Sequence, residues 1–223
     1  MKKNIILIGP AGSGKGTQAD KISKKFEIIH ISTGSMLRKE VKKETDVGKL
    51  VKEYVNNGLL VPDDKMKEIL EHRLKEGDCS KKGFILDGFP RNLSQAIILE
   101  EILKKNHEKI DIVFKIEISK DVLFKRITGR YFCAKCGKLY NKFFENPNIK
   151  GVCDICGSER FVLRDDDINE RAIKNRLEIY EKIIKELTAF YGKKGLIYTL
   201  DGVNTVNTVS QEILSVLSSN VKS

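Results

Sequence analysis

The sequence predicts an α/β fold, a doubly wound five-stranded parallel sheet flanked by helices. Three observations carry this. Five short apolar runs recur along the chain, each separated from the next by helix-length segments. The runs are largely continuous rather than alternating, as strands covered on both faces must be. The first run breaks at once into a glycine-rich turn that opens a helix. Ligands on such sheets bind beyond the carboxyl ends of the strands, so the chemistry should lie just after each run.

Taken in order, "KNIILIG" is the first strand, and a helix from about Lys15 to Phe26 follows its turn. "EIIHIS" is the second strand. Helical stretches follow around Ser35–Glu44 and Val47–Asn57, then the turn "LVPDD", whose Asp63 suits a helix N-cap, and a helix over about Asp64–Glu76. "GFILDGF" is the third strand, Asn92–Lys105 a helix and "IDIVFKIEIS" the fourth strand. A helix runs from Lys120 towards Gly129. Asn169–Tyr191 is a long helical pattern, "GLIYTLDG" the fifth strand, and a last helix starts near Thr205. Residues 126–164 interrupt the alternation and read as an inserted subdomain.

At 223 residues, 40% hydrophobic and 32% charged, the chain suits one domain with insertions. The apolar run Ile5–Ile8 is too short for a signal peptide, and no segment approaches the roughly 20 apolar residues of a membrane span. The expectation is a cytoplasmic protein. A net charge of +10 fits either a lysine-rich solvated surface or an anionic partner, and charge alone does not choose.

"GPAGSGKGT", residues 9–17, sits after a buried strand and opens a helix, where a phosphate-binding loop belongs. Its glycines let the backbone approach phosphate oxygens, the amides at the helix start point at negative charge, and Lys15 adds a mobile cation. "FILDGFPR" ends a strand in Asp87, an acid placed to hold the waters of a Mg²⁺ ion. Arg38, Arg91, Arg126, Arg130, Arg164 and Arg176 recur at such positions in a chain whose usual cation is lysine. Guanidinium groups grip phosphate oxygens bidentately, and phosphoryl transfer between nucleotides gathers enough negative charge to need a cage of them. No general base stands out. An ionised phosphate acceptor needs none, so His30, His72 and His107 read as structural or surface groups.

Cys133, Cys136, Cys153 and Cys156 have the spacing C-x₂-C-x₁₆-C-x₂-C, inside the window for a tetrahedral structural Zn²⁺ site. Gly137 and Gly157 permit a tight turn after each pair. Four thiolates also suit iron, and two disulfides would use the same residues. Cys79 stands apart as an ordinary thiol.

The ending "GKGT", with "STGSMLR" (32–38), "GLLVPDD" (58–64), "LDGFPRN" (86–92) plus Gln95, "RITGR" (126–130) and "RLEIY" (176–180), resembles the adenylate kinase family over nearly the whole chain. The resemblance implies a P-loop kinase fold with two inserted flaps: a core of residues 1–31, 62–125 and 165–223, an AMP-binding insertion at 32–61 and a zinc-binding lid at 126–164. It implies reversible phosphoryl transfer from Mg²⁺·ATP to AMP, giving two ADP, by a monomer that maintains adenine nucleotide balance and needs no nucleic acid or membrane partner. ATP would lie on Gly12, Ser13, Gly14, Lys15, Gly16 and Thr17, with Arg126 over its adenine and Arg130 on its phosphates. AMP would meet Thr33, Arg38, Leu60, Val61, Gly88, Arg91 and Gln95, with the Gln95 amide reading the adenine edge. Arg164 and Arg176 would reach the phosphoryl group in transfer, with Arg171 a rival for the latter place, and Asp87 would hold magnesium waters. Ser35 stands where the family carries Asp, and Asn141 where it carries His. The lid would swing over the nucleotides and exclude water, with zinc supplying its folding energy and none of the chemistry.

Overall fold

The computed structural model describes residues 2–219, so residues 1 and 220–223 of the expected core lie outside the described residues. The first strand, β1 (Lys3–Ile8), runs into α1 (Lys15–Phe26), and β2 (Ile29–Ser32) into α2 (Thr33–Lys42) and α3 (Asp46–Asn57). After α4 (Asp63–Lys75) and the short α5 (Gly77–Lys82) come β3 (Gly83–Asp87), α6 (Leu93–Lys105), β4 (Ile112–Glu117) and α7 (Lys120–Thr128). The cysteine segment forms β5 (Arg130–Cys133), β6 (Leu139–Asn141) and β7 (Phe161–Val162). The chain ends with α8 (Asp165–Ile168), α9 (Glu170–Gly192), β8 (Ile197–Asp201) and α10 (Val206–Ser219).

Five strands pair in the order β2-β3-β1-β4-β8, every ladder parallel. Both faces are covered, which explains the continuous apolar runs. In β1, Ile5 and Leu7 pack towards Ala19 and Ile22 of α1 and Ile213 of α10. Their neighbours Ile6 and Ile8 face the opposite layer, with Leu70 of α4, Leu99 of α6 and Leu187 of α9. Each fully buried side chain of this kind contributes about 1.5–3 kcal/mol.

β5, β6 and β7 form a separate antiparallel sheet in the order β6-β5-β7. Its core is small. Tyr140 stacks on Tyr131 at 5.7 Å, Phe161 meets both rings edge-on, and Cys133 and Cys153 pack beside Tyr140.

Asp63 is not the N-cap of α4 that its position suggests. Pro62 occupies the cap of α4, and Asp63 is already helical. Its carboxylate accepts bonds from Asn92 Nδ2 at 3.1 Å and Gln95 Nε2 at 2.9 Å, joining α4 to the start of α6.

Candidate active site

β1, β3 and β4 end side by side, because β1 pairs with β3 through Leu7–Asp87 and with β4 through Ile8–Lys115. That register places the loop of residues 9–14 beside Asp87. Gly12 (φ 80°) and Gly14 (φ 99°) hold left-handed conformations that a side chain would strain, so the loop can fold around its own amides. Lys15 Nζ folds into it, donating to the carbonyls of Gly9 at 2.7 Å and Pro10 at 2.8 Å. Burial lowers the Lys15 pKa to about 8, against the opposing pull of Asp87.

Asp87 ends β3 within reach of Ser32 Oγ (3.5 Å). Burial alone would raise its carboxyl, but the nearby His30 ring and the charges of Lys15 and Arg91 hold it below the usual carboxylate range. Of its two expected places, structural or surface, His30 takes the structural one. Its Nδ1 lies 2.8 Å from Asp20 Oδ1 and its Nε2 3.9 Å from Asp87 Oδ2. Burial opposes its charge, yet the two carboxylates outweigh that and raise its pKa to about 9. The signal was available in the pairing register, which sets Ser32 opposite Asp87 with His30 two residues before.

A cavity of about 200 Å³ opens between this strand edge, α2, α3 and α9. Lys15, Asp87, Thr33, Arg38, Leu60, Val61, Gly88, Arg91, Gln95, Arg130, Arg164 and Arg176 all line it. The sequence had marked each of these. Arg126 lies outside the cavity, its Nη1 3.4 Å from the Ser13 carbonyl and its guanidinium 5.7 Å from the Phe144 ring centre. Arg176 turns into the cavity from α9, whereas Arg171 is exposed.

The guanidinium groups are drawn together by two buried acids whose register the sequence had left open. Arg130 donates twice to Asp167, each bond 2.6 Å. Arg164 pairs with Asp166 through Nε at 2.9 Å, and Arg176 bridges both acids at 2.9 and 3.1 Å. Among the described residues, Arg38 and Arg91 have no carboxylate hydrogen bond and touch instead Ser35 Oγ (3.3 Å) and the Gly88 carbonyl (2.8 Å). Burial lowers both pKa values, that of Arg38 to about 10. Two desolvated cations without a bonded anion, facing one cavity, favour an anionic ligand there. The sequence missed Tyr54 and Tyr180, which wall the same cavity.

In the inserted sheet the sulfurs of Cys133, Cys136, Cys153 and Cys156 lie within 4.8 Å of one another. The approaches are between knuckles, Cys133 to Cys156 and Cys136 to Cys153, each 3.5 Å, and all four thiols are free. Disulfides are thereby excluded as the arrangement described. The knuckles match: the amides of Gly137 and Gly157 return to the carbonyls of Cys133 and Cys153, each at 2.9 Å. Four soft sulfur donors at this spacing support a structural zinc site.

A phosphate loop opening a helix, a carboxylate on the neighbouring strand and a cavity ringed by arginines define a P-loop phosphotransferase for phosphorylated small molecules. Comparison with known proteins narrows the class. A model of the family described as adenylate kinase matches residues 7–196, and the chain belongs to that family. It is 45% identical over 213 residues to an adenylate kinase of Caldanaerobacter subterraneus, covering 96% of this chain and 95% of that protein. It is 43% identical over 214 residues to one of Limosilactobacillus reuteri (96% and 98%), and 44% over 217 to one of Enterococcus faecalis (97% and 100%). It is an adenylate-kinase-type phosphotransferase that interconverts ATP, AMP and ADP. No helix among the described residues is long and apolar enough to cross a membrane.

Proposed function

We propose that ATP is the donor on the Gly12–Thr17 loop, that AMP is the acceptor in the arginine-lined cavity, and that residues 126–164 close over both. The observation that carries this is the meeting of Lys15 with five arginines around one cavity beside the loop. On this reading Lys15 leaves its loop carbonyls for the donor's phosphates, and Arg126 covers the donor base. Arg38 and Arg91, the two of the five cavity arginines without carboxylate bonds among the described residues, take the acceptor phosphate. Arg130, Arg164 and Arg176 exchange Asp166 and Asp167 for the phosphoryl group in transfer, which makes their electrostatic stabilisation strongest when that charge is between sites. Thr33, Leu60, Val61, Gly88 and Gln95 wall the acceptor.

Asp87, ionised and beside Lys15, fits a hard divalent ion held through water, and Mg²⁺ bound with ATP would neutralise phosphate charge. The acceptor oxygen is already ionised, so the chain need move no proton. Positioning and exclusion of water, a competing acceptor, are its main tasks. The lid that excludes water joins the core through Arg130 and Arg164, so its closure and the engagement of these arginines are one event. A cytoplasmic monomer balancing adenine nucleotides is the setting this activity suits. The reverse reaction tests the proposal: with Mg²⁺ and ADP alone, ATP and AMP should appear in equal amounts. Lys15→Met should lower kcat about 10²–10³-fold, and AMP accompanied by orthophosphate in place of ATP would refute transfer.

A further inference from the structure

Gln95 is 2% exposed and lines the acceptor cavity, and both ends of its amide are already engaged by the protein. Its Oε1 accepts from the Arg91 backbone N–H at 2.8 Å, and its Nε2 donates to Asp63 Oδ1 at 2.9 Å. Asn92 Nδ2 donates to the same Asp63 oxygen at 3.1 Å, while Asn92 Oδ1 accepts from the Gln95 backbone N–H at 2.7 Å. Asp63 itself lies outside the cavity lining.

An amide has two lone pairs on oxygen and two hydrogens on nitrogen. One of each is spent here, so one lone pair and one N–H remain, in an order that cannot be exchanged. Turning the amide over would set its NH₂ against the Arg91 N–H and its oxygen against the Asp63 carboxylate. That loses two bonds in a buried place and creates two like-with-like contacts.

We infer that Asp63 is a specificity-determining positioning residue: by fixing the orientation of the Gln95 amide, it selects 6-aminopurine over 6-oxopurine monophosphates. A 6-aminopurine offers an N–H donor at position 6 and an acceptor at N1. A 6-oxopurine offers the reverse, an acceptor at position 6 and a donor at N1. With the amide locked, only one of the two edges can match both remaining groups, and the mismatched base leaves buried polar groups unpaired. This rests on the reading that Gln95 faces the acceptor base.

The test is the ratio of kcat/KM for AMP to that for IMP, the 6-oxo counterpart, in Asp63→Ala, Asp63→Asn and Gln95→Ala. Asp63→Ala should lower the ratio about tenfold or more, mostly through KM for AMP and a gain for IMP, with KM for ATP unmoved. Asp63→Asn keeps an acceptor oxygen for Gln95 and Asn92 and should restore most of the ratio. If Gln95→Ala lowers the ratio but Asp63→Ala, folded by its melting transition, does not, the orienting role of Asp63 is refuted. A ratio unmoved by Gln95→Ala would instead overturn the reading of the acceptor pocket, and the inference with it. Should Asp63→Ala not fold, an Asp63→Asn enzyme that has lost the ratio is equally contradictory, because it retains the oxygen.

Discussion

At the scale of single residues, charge decides most of what the site does. Lys15 illustrates it. Burial holds its free-enzyme pKa near 8, below the 10.5 of an exposed lysine, so the unliganded site favours the neutral amine as pH rises through that value. Phosphate favours the ammonium form. The Lys15 contribution to ATP binding should therefore be insensitive to pH below about pH 8, whereas above it binding should take up a proton and weaken progressively as pH rises. Calorimetry at pH 9 in two buffers of different ionisation enthalpy reads that uptake, which Lys15→Arg should abolish. Arg176 and Arg171 give a second contrast on one helix. Arg176→Lys removes a forked donor from the cavity and should lower kcat about 10²-fold, whereas exposed Arg171→Lys should stay within about twofold. Equal losses in the two variants would show that the register of α9 is wrong.

At the scale of elements, the sequence was most legible where one physical rule acts alone. The central strands β1, β3 and β4 are largely apolar on both faces, and the helices α1 and α6 span the segments their patterns predict. Legibility failed where elements are too short to show a period. The six-residue α5 and the four-residue α8 each make fewer than two turns, and β5, β6 and β7 are set by knuckle geometry rather than by alternation. Asp63 misled because proline at the preceding position takes the cap, freeing the acid for contacts across to α6. Asp166 and Asp167 became interpretable only when α8 buried them against Arg130, distant in sequence, together with the nearer Arg164 and Arg176. The inserted sheet carries its own prediction. With Tyr140 and two cysteines as most of its core, it should depend on bound metal. Stripping metal with a chelator should open residues 130–164 to proteolysis while the five-stranded core stays protected, and ATP hydrolysis should rise relative to transfer. A lid equally resistant with and without metal would contradict this.

At the scale of the whole molecule, the parallel sheet brings residues from six separate stretches to one edge. Lys15 follows β1, Arg38 lies beyond β2, Asp87 ends β3 with Arg91 just after it, and Arg130, Arg164 and Arg176 return from the insertion and α9. Five arginines of a chain with a net charge of +10 thus meet at one cavity. The composition left open either a solvated surface or an anionic partner, and this gathering of arginines favours an anionic ligand at the cavity. The central claim is that this cavity accepts AMP rather than water or another monophosphate. The most direct measurement is product analysis after mixing the protein with ATP, Mg²⁺ and each nucleoside monophosphate in turn. Conversion confined to AMP, with two ADP formed for each ATP consumed, is the expected result. Preference for another monophosphate, or ADP accompanied by orthophosphate, would contradict the account.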